Sequence, residues 1–286
     1  MQRNRLVPYT FLLPYLIIFL LFWAWPILYS FYLSFLDTRG FPWALEPGVN
    51  WGRILSDPFF RQAFRNTVVL LAVQVPVMLL LATGLAVGLN SPLLKFRGFY
   101  RFAFFAPVVV GSVAYSAVFR LLFNTQNGAV NAALGGLGLP RIDWLNSPVP
   151  AFILIVLTVT WRWTGYNAII ILAGLQNIPL ELYEAAKIDG ANPWQQFWGI
   201  TLPLLRPILL FALVLSVIGT LQLFTEPFLI TGGGPGNATL TLGVYLYQQG
   251  FRSFNFGYAS SIGYAIALLA VMFSALQLRL FGQDPS

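Results

Sequence analysis

Leu6 to Leu36 is a run of 31 residues without one charged side chain, and Asn66 to Leu94 is a second of 29. A helix needs about 20 apolar residues to cross about 30 Å of hydrocarbon. Runs of this length therefore commit the chain to a bilayer before anything else is known of it. Phe102 to Phe119 gives 18 more, Ser253 to Leu278 gives 26, and Leu204 to Phe228 is broken only by Arg206 and Glu226. Spans are expected near 11–35, 67–89, 102–123, 150–174, 207–230 and 259–281. The expectation is an all-α integral membrane protein, a six-helix bundle forming one domain over 1–286.

The fourth span contains Arg162, which raises the question of whether it inserts. A central Arg costs about 2.5–3.5 kcal/mol on the insertion scale, and each Leu, Ile, Val or Phe returns about 0.3–0.6. Val149 to Leu172 holds twelve such residues, together about 5 kcal/mol, so insertion wins. Residues 1–36 have a basic start at Arg3 and Arg5, but the apolar run is too long for a cleaved leader and no small-x-small site follows it. They read as a retained first helix.

Composition then removes most catalytic chemistry. Charged residues make up 9% of the chain, against about a quarter in soluble domains. With no His and no Cys, disulfides, thiolates, Ser-His-Asp triads, haem ligation and ordinary zinc sites are excluded. The net charge of +7 comes from cations scattered along the chain, with no basic run suited to nucleic acid. The sequence offers no catalytic and no metal-binding set.

Orientation follows from Lys and Arg in short loops. Arg3, Arg5, Lys95, Arg97, Arg101, Lys187, Arg206 and Arg279 fall on one side. Arg39, Arg53, Arg61, Arg65, Arg141 and Arg252 fall on the other, with Arg120 at the border. Asp37, Glu46 and Asp57 dilute the first loop of that second side, whereas the N-terminal tail and the loop at 95–101 carry no acid. Both termini are expected in the cytoplasm.

One connector is too patterned to be a tether. Residues 178–207 read IPLELYEAAKIDGANPWQQFWGITLPLLRP. Pro179 opens a helix, with Glu181 and Glu184 in its first turns where the dipole favours anions. Tyr183, Ala185, Ala186 and Ile188 recur at helical spacing, and Asp189-Gly190 stops the helix. Asn192 caps a second short helix with Pro193 at its first position. Phe197 and Ile200 supply its apolar side, and Leu202-Pro203 ends it before the fifth span. Two short amphipathic helices around a glycine suit either an interfacial segment lying in the headgroups or a docking surface for a soluble partner.

Glu184-Ala185-Ala186-Lys187-Ile188-Asp189-Gly190-Ala191, followed by Phe197, Ile200, Leu202 and Pro203, resembles the EAA motif of ABC importer permeases. The likeness extends over nearly the whole chain and points to the maltose and glycerol-3-phosphate branch. It is carried by LLPYLIIFLLFWAWPILYSFYLSFLD (12–37), FRGFYRFAFFAPVVVGSVAYSAVFRLLF (96–123) and LFTEPFLITGGGPGNATLTLGVYLYQQGF (223–251). The resemblance implies a type I importer fold whose loop at 178–207 forms cytoplasmic coupling helices. Glu184, Ala185, Ala186, Asp189, Gly190, Ala191 and Phe197 are then the ATPase-coupling residues. It implies a bacterial or archaeal inner membrane, a second six-span permease, two cytoplasmic ABC ATPases and an extracytoplasmic solute-binding protein. ATP and Mg belong to the ATPase partner, since this chain has no G-x-x-x-x-G-K-[ST] loop and no cofactor of its own.

A sugar presents hydroxyl edges and apolar ring faces, so its site needs aromatic platforms beside hydrogen-bonding groups. Trp161, Arg162, Tyr166 and Asn167 on the fourth span, Gln222 and Glu226 on the fifth and Tyr264 on the sixth are the substrate-path candidates. Aromatic belts and helix packing use the same residue types. Arg162 and Glu226 either pair with each other or line the path, and Arg162 keeps an anionic cargo such as glycerol phosphate open. A secondary transporter predicts inverted repeats or broken helices around a midplane site, and no duplication is visible. A carboxylate enzyme predicts paired acids in the core, where Glu226 stands without an acidic companion.

Overall fold

The computed structural model describes residues 7–91 and 93–282. Arg3 and Arg5, used above for orientation, lie outside them. In chain order the helices are α1 (7–33), α2 (Pro47–Ser56), α3 (Pro58–Asn90), α4 (Arg97–Val109), α5 (Ser112–Leu122) and α6 (Ala129–Gly136). They continue as α7 (Pro148–Gln176), α8 (Leu180–Ile188), α9 (Pro193–Leu221), α10 (242–252) and α11 (Phe256–Phe281). A short antiparallel ladder pairs Leu36 with Leu45 and Asp37 with Ala44. Among the described residues five helices are long and apolar enough to cross a membrane, and α4 with α5, bent by 95° at a break, makes a sixth span if taken as one.

The chain divides into two compact units, Met1–Arg61 with Tyr245–Ala267 and Gln62–Val244 with Leu268–Ser286. In the first, no residue of Phe11–Leu33 is buried by the chain itself, as suits a helix whose apolar surface is meant for lipid or another subunit. Its ordered part is held by polar groups. Asn50 donates to the carbonyls of Ser34 and Leu36 at 3.1 and 2.7 Å, and the amide of Gly257 donates to Thr38 at 2.8 Å. A Cβ at Gly257 would meet the Leu36 carbonyl oxygen at 2.2 Å, so only glycine lets the start of α11 approach this closely. Asp57 accepts from the hydroxyls of Tyr245 and Tyr258 and from the Phe59 amide at the start of α3.

In the second unit α7 is the central element. Its sequence is mostly apolar, and residues from Ala151 to Leu175 are buried along its length, leaving Val149, Ile153, Leu157 and Trp161 as an exposed stripe on one side. One cluster joins α7 through Ala168, Ile171 and Leu175 to Ala82 and Ala86 of α3 and Leu205 of α9. Another joins Leu154, Ile155 and Val159 to Leu70, Leu223 and Ile230. At Gly165 two helices approach closely, since a Cβ there would stand 1.7 Å from the Phe104 carbonyl oxygen of α4.

Three expectations need correction. The span placed at 102–123 is not one straight helix, because Val110 and Gly111 leave helical geometry between α4 and α5. The span placed at 207–230 ends at Leu221. Residues 222–224 are non-helical, and Pro227–Thr231 forms a separate π-helical turn ended by Gly232 at φ 66°. The Leu202-Pro203 stop does not occur. A π-helical turn, Phe197–Thr201, carries the helix on into the α-helical stretch that begins at Leu202, and Pro203 removes one backbone hydrogen bond there without ending the helix. A charge-free run is blind to the first two, because breaks leave polarity untouched, and the third shows that a proline in sequence does not by itself end a helix.

Two measurements test this packing. Gly165→Ala is expected to lower the thermal midpoint in detergent, by the equivalent of about 1–3 kcal/mol for forced overpacking, whereas Gly135→Ala, with open space around it, changes little. Burial pushes the Asp57 carboxyl up, but hydrogen bonds from Tyr245, Tyr258 and two amides outweigh it and hold the group below the usual carboxylate range. A carboxyl held low stabilises the fold above its free pKa and loses that contribution as pH falls through the held value. Asp57→Asn is therefore expected to flatten the acid side of a stability profile taken from about pH 7 down to about pH 3.

Candidate functional site

The break between α4 and α5 leaves backbone carbonyls that no helix satisfies, in a region where lipid offers no replacement. Arg162 of α7 fills that role. Its Nη1 donates to the Val110 carbonyl at 2.9 Å and its Nη2 reaches the Val108 carbonyl at 3.4 Å. The guanidinium lies 4.5 Å from the Tyr115 ring centroid and 5.6 Å from that of Trp163. Tyr115 in turn donates its hydroxyl to Glu226, which is 4% exposed. Arg162 and Glu226 thus make no ion pair; Tyr115 stands between them.

Around this chain of contacts lies a cavity of about 480 Å³ walled by α3, α5, α7, α9 and residues 222–226. Arg162, Tyr166, Asn167, Gln222 and Glu226 all line it. Trp161 does not: its ring packs 6.0 Å from Tyr115 and 5.2 Å from Phe119. Tyr264 belongs to the other unit, where its hydroxyl donates to the Ile27 carbonyl at 2.5 Å. The wall carries aromatic faces from Trp163, Tyr166 and Phe224 and hydrogen-bonding groups from Gln74, Ser216 and Thr220. Sequence reasoning missed Gln74 and Tyr115. The signal for Gln74 was present, since a lone glutamine inside a 29-residue uncharged run is costly in lipid and needs a reason to stay. Tyr115 looked like one more aromatic in an aromatic span.

The connector is built as its residues dictate. Pro179 precedes α8, and Gly190 at φ 80° ends it, with the Ala191 amide donating to the Ala186 carbonyl at 2.8 Å. Nothing lies within 4 Å of a Cβ at Gly190, so the glycine is required by backbone conformation alone. Asn192 and Gln195 form a reciprocal capping box at 2.9 and 2.8 Å. The tyrosine of α8, Tyr183, shares a 2.8 Å hydrogen bond with Thr201 and ties α8 to α9. Glu184, Ala185, Asp189 and Gly190 are exposed, while Ala186, Ala191 and Phe197 are half-buried. Ile188 is 88% exposed and Trp194 69%, so the connector carries an apolar tip that the protein itself leaves uncovered.

Comparison with known proteins follows the same lines. Residues 96–281 match the family described as binding-protein-dependent transport system inner membrane component. The lactose transport system permease protein of Rhizobium radiobacter is 44% identical over 94% of this chain and 92% of its own length. The arabinooligosaccharides transport system permease protein of Bacillus subtilis is 38% identical over 98% and 90%. Among solved structures, a chain of a bacterial ABC transporter involved in the import of the acidic polysaccharide alginate superposes with a TM-score of 0.86, at 23% identity over 98% of this chain and 96% of that one.

Tyr115 is expected to couple energetically to Glu226 more than Arg162 does. In double-mutant cycles on detergent-solubilised protein, Tyr115→Phe with Glu226→Gln should deviate from additivity by about 0.5–3 kcal/mol. Arg162→Met with Glu226→Gln should deviate less; a larger value for this second cycle would reveal a direct pair after all.

Proposed function

We propose that this chain, which belongs to the family of binding-protein-dependent transport system inner membrane components, carries sugars or short oligosaccharides through the cavity on α7. The observation that supports this most is the composition of the cavity wall. Aromatic faces at Trp163, Tyr166 and Phe224 stand beside amide and hydroxyl groups at Gln74, Asn167, Thr220 and Gln222, the combination a sugar ring requires. The lactose and arabinooligosaccharide names of its relatives agree with it.

Transport then runs by alternating access. A second six-span permease completes the path, two cytoplasmic ABC ATPases bind ATP and Mg, and an extracytoplasmic binding protein delivers the solute. The connector 178–207 faces the cytoplasm together with both termini. Its exposed Glu184, Asp189 and Gly190, with the apolar tip beside them, dock on an ATPase. Ala185, Ala186, Ala191 and Phe197 shape the docking turn. Closure of the ATPases on ATP moves this connector, and no hydrolytic chemistry falls to this chain.

Gly190→Val places a β-branched residue at positive φ, at a local cost of about 1–2 kcal/mol or more, and far too little to unfold a bundle of this size. Combined with Glu184→Ala it is expected to abolish sugar uptake in proteoliposomes holding the complete transporter. The doubly substituted chain should still insert and still co-purify with its partner permease. Uptake at the wild-type rate would remove the coupling role from this loop.

A further inference from the structure

The connector helix α8 carries no buried residue. Along it only Tyr183 and Ala186 are half-buried, and an alanine has no side chain with which to grip. Tyr183 is thus the side chain that sets how α8 lies against the membrane helices. Its ring packs against the cluster formed by α3, α7 and α9, and its hydroxyl shares the 2.8 Å hydrogen bond with Thr201, which is 6% exposed. Thr201 closes the π-helical turn at the foot of α9, a kind of turn frequent at functional positions. Its Oγ1 also reaches the Gln196 carbonyl at 3.4 Å, and the Gln196 amide donates to the Ala191 carbonyl at 2.8 Å. The bond therefore joins the inner face of α8 to the same turn that holds the chain just past Gly190.

A second cavity, of about 200 Å³, opens beside this bond, with Asn90 of α3, Leu175 of α7 and Pro193 and Phe197 of α9 in its wall next to Tyr183 and Thr201. Close packing would hold a tyrosine ring with or without its hydroxyl. Next to a void of this size the ring has room to swing, and the hydrogen bond fixes its direction. Resting on the reading of the connector as an ATPase-docking element, we propose that Tyr183 is a positioning residue for coupling. Its bond to Thr201 makes α8 and the foot of α9 move as one body. Without the bond, the ATPases still dock and hydrolyse ATP, but closure turns α8 on its leash at 177–179 and leaves the foot of α9 behind.

The chain has no cysteine, so spin labels can be placed at Lys187→Cys on α8 and Leu204→Cys on the foot of α9, in the complete transporter with cysteine-free partners. The distance between the labels is read by dipolar EPR without nucleotide and with ATP trapped by vanadate. With Tyr183 present it is expected to stay the same in both states. In Tyr183→Phe, with the ATPases still co-purifying and hydrolysing ATP, it is expected to change with nucleotide by about 2 Å or more. Thr201→Val should reproduce that change, Thr201→Ser should not, and Tyr183→Phe with Thr201→Val together should add nothing to either. A nucleotide-dependent distance with Tyr183 present would overturn the proposal. So would a distance in Tyr183→Phe and Thr201→Val that ignores nucleotide, or that broadens equally in both states, as a merely structural contact would give. Wild-type uptake in Gly190→Val with Glu184→Ala would instead remove the docking reading, whereas lost uptake there beside an unmoved distance in Tyr183→Phe removes the role of Tyr183 alone.

Discussion

Inside a bilayer, backbone polar groups must find partners within the protein, because lipid supplies none. Most of this chain meets that demand with continuous helices, and wherever it departs from them a side chain or a tight turn takes over. The departure at Val110–Gly111 is met by Arg162, and the one at residues 222–224 opens the cavity wall beneath Glu226. Outside the spans, buried amides do the same work, Asn50 for the carbonyls of Ser34 and Leu36 after α1 and, in the other unit, Asn66 of α3 for those of Asn237 and Leu240. Broken helices and buried amides are thus two sides of one requirement, and the cavity exists because the requirement is met by side chains.

This also explains what was legible beforehand. Span number, span type and the architecture of the connector follow from charge-free runs, from Pro179, Gly190 and the Asn192-Pro193 start, all local features of sequence. Five of the seven cavity candidates were found because polar or ionisable residues within apolar runs are conspicuous. What stayed hidden depends on geometry between distant segments. Arg162 looked like one partner of Glu226, and only the bend of α4 against α5 shows that its guanidinium has carbonyls to serve. The arrest of α9 at Leu221 leaves no mark on the charge pattern, and Gly219, two residues before it, lies inside the helix. Trp161 fell on the wrong side of α7 because neighbouring residues on a helix point about 100° apart.

The resemblance read from the motif at 184–203 agrees with the family match over 96–281, the stretch that contains it. The motif is a surface feature of the connector, whereas the structural likeness at a TM-score of 0.86 is a property of the whole backbone. The charge character of the cavity is a third layer, set by a few side chains on that backbone. Identity of 23% with the alginate system leaves ample room for it to differ.

Because α9 runs unbroken from Pro193 to Leu221, the tip of the connector and the rim of the cavity are two ends of one rod. At 1.5 Å per residue that rod is about 43 Å long. A π-helical turn near its foot changes the register of the turns, and Pro203 and Pro207 beside it are the points at which the rod can bend. Above Pro207 the helix is continuous, and a displacement passed along it arrives at Gln222, where the helix stops. Force applied at one surface is therefore released at the cavity, and the non-helical residues 222–224 serve as its compliant end.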